Sequence, residues 1–235
     1  MIDWSKLSHA YGSAEDLPGI LADLEPDYRN CRAWGDLIGR VCHQGTTYSA
    51  SPYVLPCLSE LAASWTGEAR VMPLFLASSM VESREFKLDG FEQEVEDLHF
   101  LAEEMLRSDE IDAMHRVYVV SATLTLGGDK LWGRAIEGLN DQEFHGTCPP
   151  CGSTVRFTIG TLGFYTSLNY DRVGTHPITP VERLAEMGQW LYDIFNDSNN
   201  RQQAEQILYL FGTTTCPQCR QKIQVAEAVE KFWRQ

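Results

Sequence analysis

Apolar residues recur at helical spacing through most of the first 140 positions. Leu17, Ile20, Leu21 and Leu24 repeat at i, i+3, i+4, i+7 behind Asp16 and Pro18, which predicts a helix that Pro26 ends. Trp34, Leu37, Ile38 and Val41 predict a second helix over about 30–41, and Val54, Leu55, Leu58, Leu61 and Ala62 a third over about 52–63. Further helices are predicted at about 68–83, 91–106, 111–124 and 131–139, with Asn140-Asp141 closing the helical part. Strand-like alternation is confined to Val155, Phe157, Ile159 and to Ile223, Val225. Between these lie a predicted helix over 180–195, with Thr179 as its cap, Pro180 first and Glu182 third, and another over 201–211 ended by Gly212. Residues 225–233 predict a terminal helix.

The change of texture near residue 144 divides the chain into an acidic helical domain, 1–143, and a second domain, 144–235. Charge follows the same division. Residues 1–146 carry 11 Lys+Arg against 25 Asp+Glu, and residues 147–235 carry 8 of each, so the net charge of -14 belongs to the first part. Such a surface repels phosphate backbones and attracts basic protein partners. The acidic residues concentrate on one predicted helix and its continuation: Glu92, Glu96, Asp97, Glu103, Glu104, Asp109 and Glu110, opposite the apolar stripe Val95, Leu98, Leu101, Ala102, Met105. The ordinary account of such a run is a solvated face; the functional one is a docking face for a basic surface.

The chemistry-bearing motif is a pair of hooks, Cys148-Pro149-Pro150-Cys151 and Cys216-Pro217-Gln218-Cys219. Two residues between cysteines let one tight turn offer two sulfurs to the same ion, and two such turns complete a tetrahedral zinc shell. One structural Zn2+ is therefore expected, with Cys148, Cys151, Cys216 and Cys219 as ligands, in a strand–knuckle–strand arrangement of the zinc-ribbon kind. A four-thiolate shell has no open position for substrate. The competing reading is a dithiol redox centre, which needs one hook and a helix start behind it; Gly152 and the strand-like residues that follow disfavour it. His145 is a substitute ligand if a cysteine is displaced.

Cys31, Cys42 and Cys57 have no framework spacing, which suits reduced thiols, and no run approaches the ~18 apolar residues that span a bilayer, so a cytoplasmic protein is expected. Elsewhere the best polar constellation is His43 with Gln44 and Tyr48, read as a helix cap or as a base in a groove. Cys42 and His43 are sequence neighbours, which point apart on a helix, so they form no nucleophile pair. Gly127-Gly128 lacks the lysine and hydroxyl of a phosphate loop. No active site emerges.

A weak internal echo relates Tyr11-Gly-Ser-Ala to Tyr48-Ser-Ala-Ser, each followed by a Leu-Pro helix start, Leu17-Pro18 and Leu55-Pro56. Trp34, Leu37, His43-Gln44-Gly45-Thr46, Tyr48, Ala50-Ser51 and Leu55-Pro56, with the two hooks behind them, resemble a group of bacterial proteins with HEAT-like helical repeats. The resemblance implies a mainly α protein, a HEAT-like helical-repeat platform joined to a zinc-ribbon-clipped helical subdomain. It carries over no catalytic residue. It is also similar in texture to immunity partners of secreted toxins, which implies a non-enzymatic protein that occludes a basic toxin domain. The alternative is a nucleic-acid-binding adaptor using Arg156, Arg172, Arg220 and Lys222 around the ribbon, which the local charge balance disfavours.

Overall fold

The computed structural model describes residues 2–108, 110–168 and 174–234. The chain is mainly helical and forms two compact units, Met1–Arg134 and Ala135–Gln235. The texture of the sequence places the division later, at 143/144.

The first unit opens with a hairpin, β1 (Ser8–His9) and β2 (Gly12–Ser13), a 3-10 turn (Ala14–Asp16) and helix α1 (Leu17–Ala22). After α2 (Arg32–Val41) the same order returns: hairpin β3 (Cys42–His43) and β4 (Thr46–Thr47), a 3-10 turn (Ser51–Val54) and α3 (Leu55–Ser64). The echo in sequence is thus an echo in local structure. Gln44 and Gly45 have φ of 50° and 78°, the backbone that a two-residue hairpin turn requires. Pro56 sits in the first turn of α3, where no backbone donor is lost. Ser51 ties the second copy together. Its buried hydroxyl donates to Val41 O at 2.6 Å and accepts from Tyr48 N at 2.8 Å, joining the end of α2 to the start of α3.

A 3-10 turn (Gly67–Arg70) leads into α4 (Val71–Glu82), followed by α5 (Glu92–Leu106) and α6 (Ala113–Leu126). Helices α4 and α6 pack on each other and are buried on nearly every side, which is why their sequences carry apolar or small residues all round. Helix α5 packs on α3 and α6 through Val95, Leu98, Ala102 and Met105. Buried Arg116 donates from Nη1 to Leu106 O at 2.9 Å and from Nη2 to Ser108 O at 2.6 Å, so a cation from α6 satisfies carbonyls at the C-terminal end of α5.

Helix α7 (Lys130–Ile136) carries the division between units, and α8 (Gly138–Asp141) begins the architecture of the second. An antiparallel sheet follows, β5 (Glu143–Thr147), β6 (Thr154–Gly160), β7 (Gly163–Ser167) and β8 (His176–Pro177), paired in that order. Helices α9 (Glu186–Asp197) and α10 (Arg201–Leu210) pack together, β9 (Thr213–Thr215) and β10 (Lys222–Gln224) form a second hairpin, and α11 (Val225–Trp233) ends the chain. Strand β6 alternates cleanly. Val155, Phe157 and Ile159 are fully buried, each worth about 1.5–3 kcal/mol of burial. Helix α11 lies along β5, and Gly146 makes room for it.

The helix expected over 180–195 begins only at Glu186, with Ala185 rather than Thr179 at its N-cap. Thr179 is instead bridged to Thr213 through reciprocal backbone bonds of 2.8 and 2.9 Å, and Val181 N donates to Leu208 O at 3.0 Å. Strand-like pairing therefore takes the backbone groups that a capping box would have used.

Candidate metal centre

Both hooks are the same turn built twice. In the first, Cys148 N donates to Ser153 O at 2.9 Å and Gly152 N donates back to Cys148 O at 2.9 Å. In the second, Cys216 N donates to Gln221 O at 2.8 Å and Arg220 N to Cys216 O at 2.9 Å. The residue after the second cysteine takes a left-handed backbone in each, with φ of 75° at Gly152 and 62° at Arg220. Each turn sits between two antiparallel strands, β5 and β6 for one, β9 and β10 for the other.

The four sulfurs converge. Cys148 Sγ lies 3.8 Å from Cys219 Sγ, and Cys151 Sγ lies 3.9 Å from Cys216 Sγ, with all four within 4.8 Å of one another. Ligand sulfurs about 2.3 Å from a shared ion stand about 3.8 Å apart at the corners of a tetrahedron. The same distances are nearly twice a disulfide bond length, and all four thiols are free. The group can hold one metal ion such as zinc. Cys148 and Cys216 are buried, whereas Cys151 is exposed.

Electrostatics divide the first hook. Burial pushes the Cys148 thiol up to about 12, while the Ser153 hydroxyl beside Cys151, with Sγ and Oγ 3.4 Å apart, brings that thiol down to about 6. Of the two, Cys151 is the more acidic thiol, and an ion bound here would be held by both sulfurs and would favour loss of the proton from buried Cys148.

His145 turns away from the sulfurs. It stacks on Phe232 with ring centroids 5.5 Å apart, and its Nε2 lies 3.4 Å from Glu143 Oε1. Of the cations suggested for phosphate contact, Arg156 is paired with Glu143 through both Nε and Nη2, and Arg220 Nη1 lies 2.5 Å from His176 Nε2. Lys222 is exposed, and Arg172 lies outside the described residues.

In the first unit, Glu92, Glu96, Asp97, Glu103 and Glu104 lie along the exposed side of α5, and Glu110 is exposed beyond it; Asp109 lies outside the described residues. Asp97 accepts from Gln93 at 2.9 Å, and Glu104 pairs with Arg70 at 2.8 Å. Composition did not single out Phe100, which stands 62% exposed on this face one helical turn from Glu96, Asp97, Glu103 and Glu104. His43 does not cap α2. It pairs with Thr46 across the hairpin, and its Nδ1 lies 3.3 Å from Tyr11 Oη. Tyr48 instead lines a cleft of about 480 Å³ with Tyr53, Phe86, Lys87 and Phe91.

Comparison of the chain with protein-family models, with curated proteins and with solved structures finds no match. Among the described residues, no helix is long and apolar enough to cross a membrane.

Proposed function

We propose that this chain is a non-enzymatic cytoplasmic binding protein, the immunity partner of a toxin, which covers a basic active-site surface with the exposed face of α5. We read the repeated hairpin, 3-10 turn and Leu-Pro helix as a HEAT-like platform, and the paired cysteine turns as a zinc ribbon that clips the second unit. The observation that carries this reading is Phe100. A large apolar side chain stands exposed at the centre of a carboxylate ring, the pattern of an aromatic anchor with a charged rim. Four thiolates around one ion leave no coordination position for substrate, which fits a scaffold better than a catalyst.

The test is to express the reading frames that flank this gene, mix each product with the purified chain and measure association at several salt concentrations. The reading expects a stoichiometric complex whose association slows with salt. Phe100→Ala should weaken it roughly 10-fold to 100-fold through faster dissociation, and Glu96→Lys with Glu103→Lys should slow association and flatten its salt dependence. Failure to form a complex, or a complex indifferent to all three changes, would remove α5 and the immunity role together.

A further inference from the structure

A second convergence of ligand atoms lies in the first unit, far in sequence from the cysteines. His115, in the first turn of α6, has a side chain only 3% exposed. Its Nδ1 makes no hydrogen bond, yet Asp112 Oδ1 is 2.8 Å away and Glu68 Oε1 is 3.2 Å away. On the other side of the ring, Nε2 lies 2.5 Å from Tyr28 Oη. Asp112 is the N-cap of α6 and accepts from His115 N at 2.8 Å, so the backbone already fixes its carboxylate. Glu68 comes from the 3-10 turn before α4 and is also held by Arg29.

The arrangement poses a question of what fills the space between these atoms. With Nε2–H given to Tyr28, Nδ1 presents a lone pair to two carboxylates at short range, which is repulsive without a positive charge between them. A proton on Nδ1 does not resolve it by hydrogen bonding, because the nitrogen has no hydrogen-bond partner although both oxygens are close. A metal ion does. Ligands about 2.1 Å from a shared ion stand about 3 Å apart when they are cis, and they converge on the ion instead of pointing at one another. A ring nitrogen whose partner nitrogen is fixed by an oxygen is also the usual setting of a ligating histidine.

We propose that Glu68, Asp112 and His115 form a binding site for a divalent transition-metal ion such as zinc, separate from the four-thiolate centre. One imidazole nitrogen and two carboxylate oxygens suit such an ion better than calcium or magnesium, whose sites are all oxygen. His115 forms the buried floor. The Glu68 and Asp112 side chains, 36% and 55% exposed, form a rim open to solvent, so water completes the coordination shell. The site joins the start of α6 to the turn before α4, and a bound ion fixes those two segments to each other.

The experiment uses the full chain with its thiolate centre already loaded, titrated calorimetrically with Zn2+ alone, and zinc counted by elemental analysis after gel filtration. Two equivalents are expected in the unsubstituted protein. Glu68→Gln and Asp112→Asn, which keep side-chain size and leave Asn able to cap α6, should each weaken the second equivalent by at least about 10-fold, with unchanged circular dichroism and the first equivalent retained. Saturation at one equivalent overturns the proposal, as does a second equivalent held equally well by both variants. Neither result bears on the binding role of α5, which is read out by complex formation and not by metal content.

Discussion

Cys148 and Cys219 are 71 residues apart in the chain, and their sulfurs are 3.8 Å apart. Everything from β6 to the second hook is a loop closed by that approach, including strands β6 to β9 and both helices α9 and α10, with β5 just outside it. Closing a loop of this length costs conformational entropy that grows only slowly with length, and an ion bound only in the folded state offsets it. In zinc-finger peptides such binding is worth about 10 kcal/mol. Replacing Cys148 by Ser should therefore abolish zinc at the thiolate centre and remove the cooperative melting of the second unit, with the first unit's transition retained. Calorimetry with and without a chelator checks this: chelation of the unsubstituted protein should likewise remove the second unit's transition, and it empties the Glu68, Asp112 and His115 site as well, which the Ser variant does not.

Two glycines near the hooks separate steric from conformational cost. A Cβ at Gly146 would stand 2.5 Å from Phe157 Cε2 and 3.2 Å from the Ala228 backbone and Cβ, where β5 meets α11. Gly146→Ala should cost about 1–3 kcal/mol or more, since neither the ring nor the helix backbone can move alone. At Gly152 a Cβ meets nothing within 4 Å, and only the φ of 75° resists substitution. Gly152→Ala should cost about 1 kcal/mol with zinc retained, because Arg220 already holds the matching place in the other turn with an ordinary side chain. Denaturant midpoints of the two variants give the comparison.

The hooks were legible because ligand spacing is a local property: a turn that presents two sulfurs needs only six residues. The helices of the first unit were legible for a similar reason, each having its own apolar periodicity. What was not legible depended on partners distant in the chain. Thr179, Pro180 and Glu182 spell a helix start, and the bridge to Thr213 overrides it. Gln44-Gly45 reads as a helix break, and only the pairing of Cys42 with Thr47 makes it a hairpin turn. The carboxylate–histidine group was missed because Glu68 comes from a different element; the one local sign was Asp112 three residues before His115 at a helix start. Phe100 is hidden by its neighbours, since it falls outside the apolar stripe of α5 and among carboxylates whose charge dominates that face.

Ser51 is buried and makes two hydrogen bonds, one as donor to Val41 O and one as acceptor from Tyr48 N. Ser51→Ala leaves two backbone groups without that partner, at a cost of about 1–3 kcal/mol for each one that water cannot reach. Ser51→Thr should not rescue the loss fully, because the extra methyl must be accommodated at a fully buried position. Urea unfolding of the two variants should rank the unsubstituted protein first, Thr second and Ala third.

Cys42 makes the first unit sensitive to alkaline pH. Burial, reinforced by the Glu82 carboxylate, pushes its thiol from 9.0 to about 11, and Sγ donates to Ser79 O at 3.5 Å. An unfolded chain begins to release this proton near pH 9, whereas the folded chain keeps it until near pH 11. The unfolded state thus binds fewer protons in that window, so stability is full below pH 9 and falls as pH rises through it. A tenfold change in proton affinity corresponds to about 1.4 kcal/mol, which puts the loss from this group at about 2 kcal/mol by pH 11. Other alkaline groups titrate there too, so the measurement is a difference. The stability of the unsubstituted protein should fall more steeply between pH 8.5 and about 10.5 than that of Cys42→Ala, and equal slopes would show that the thiol is not the group responsible.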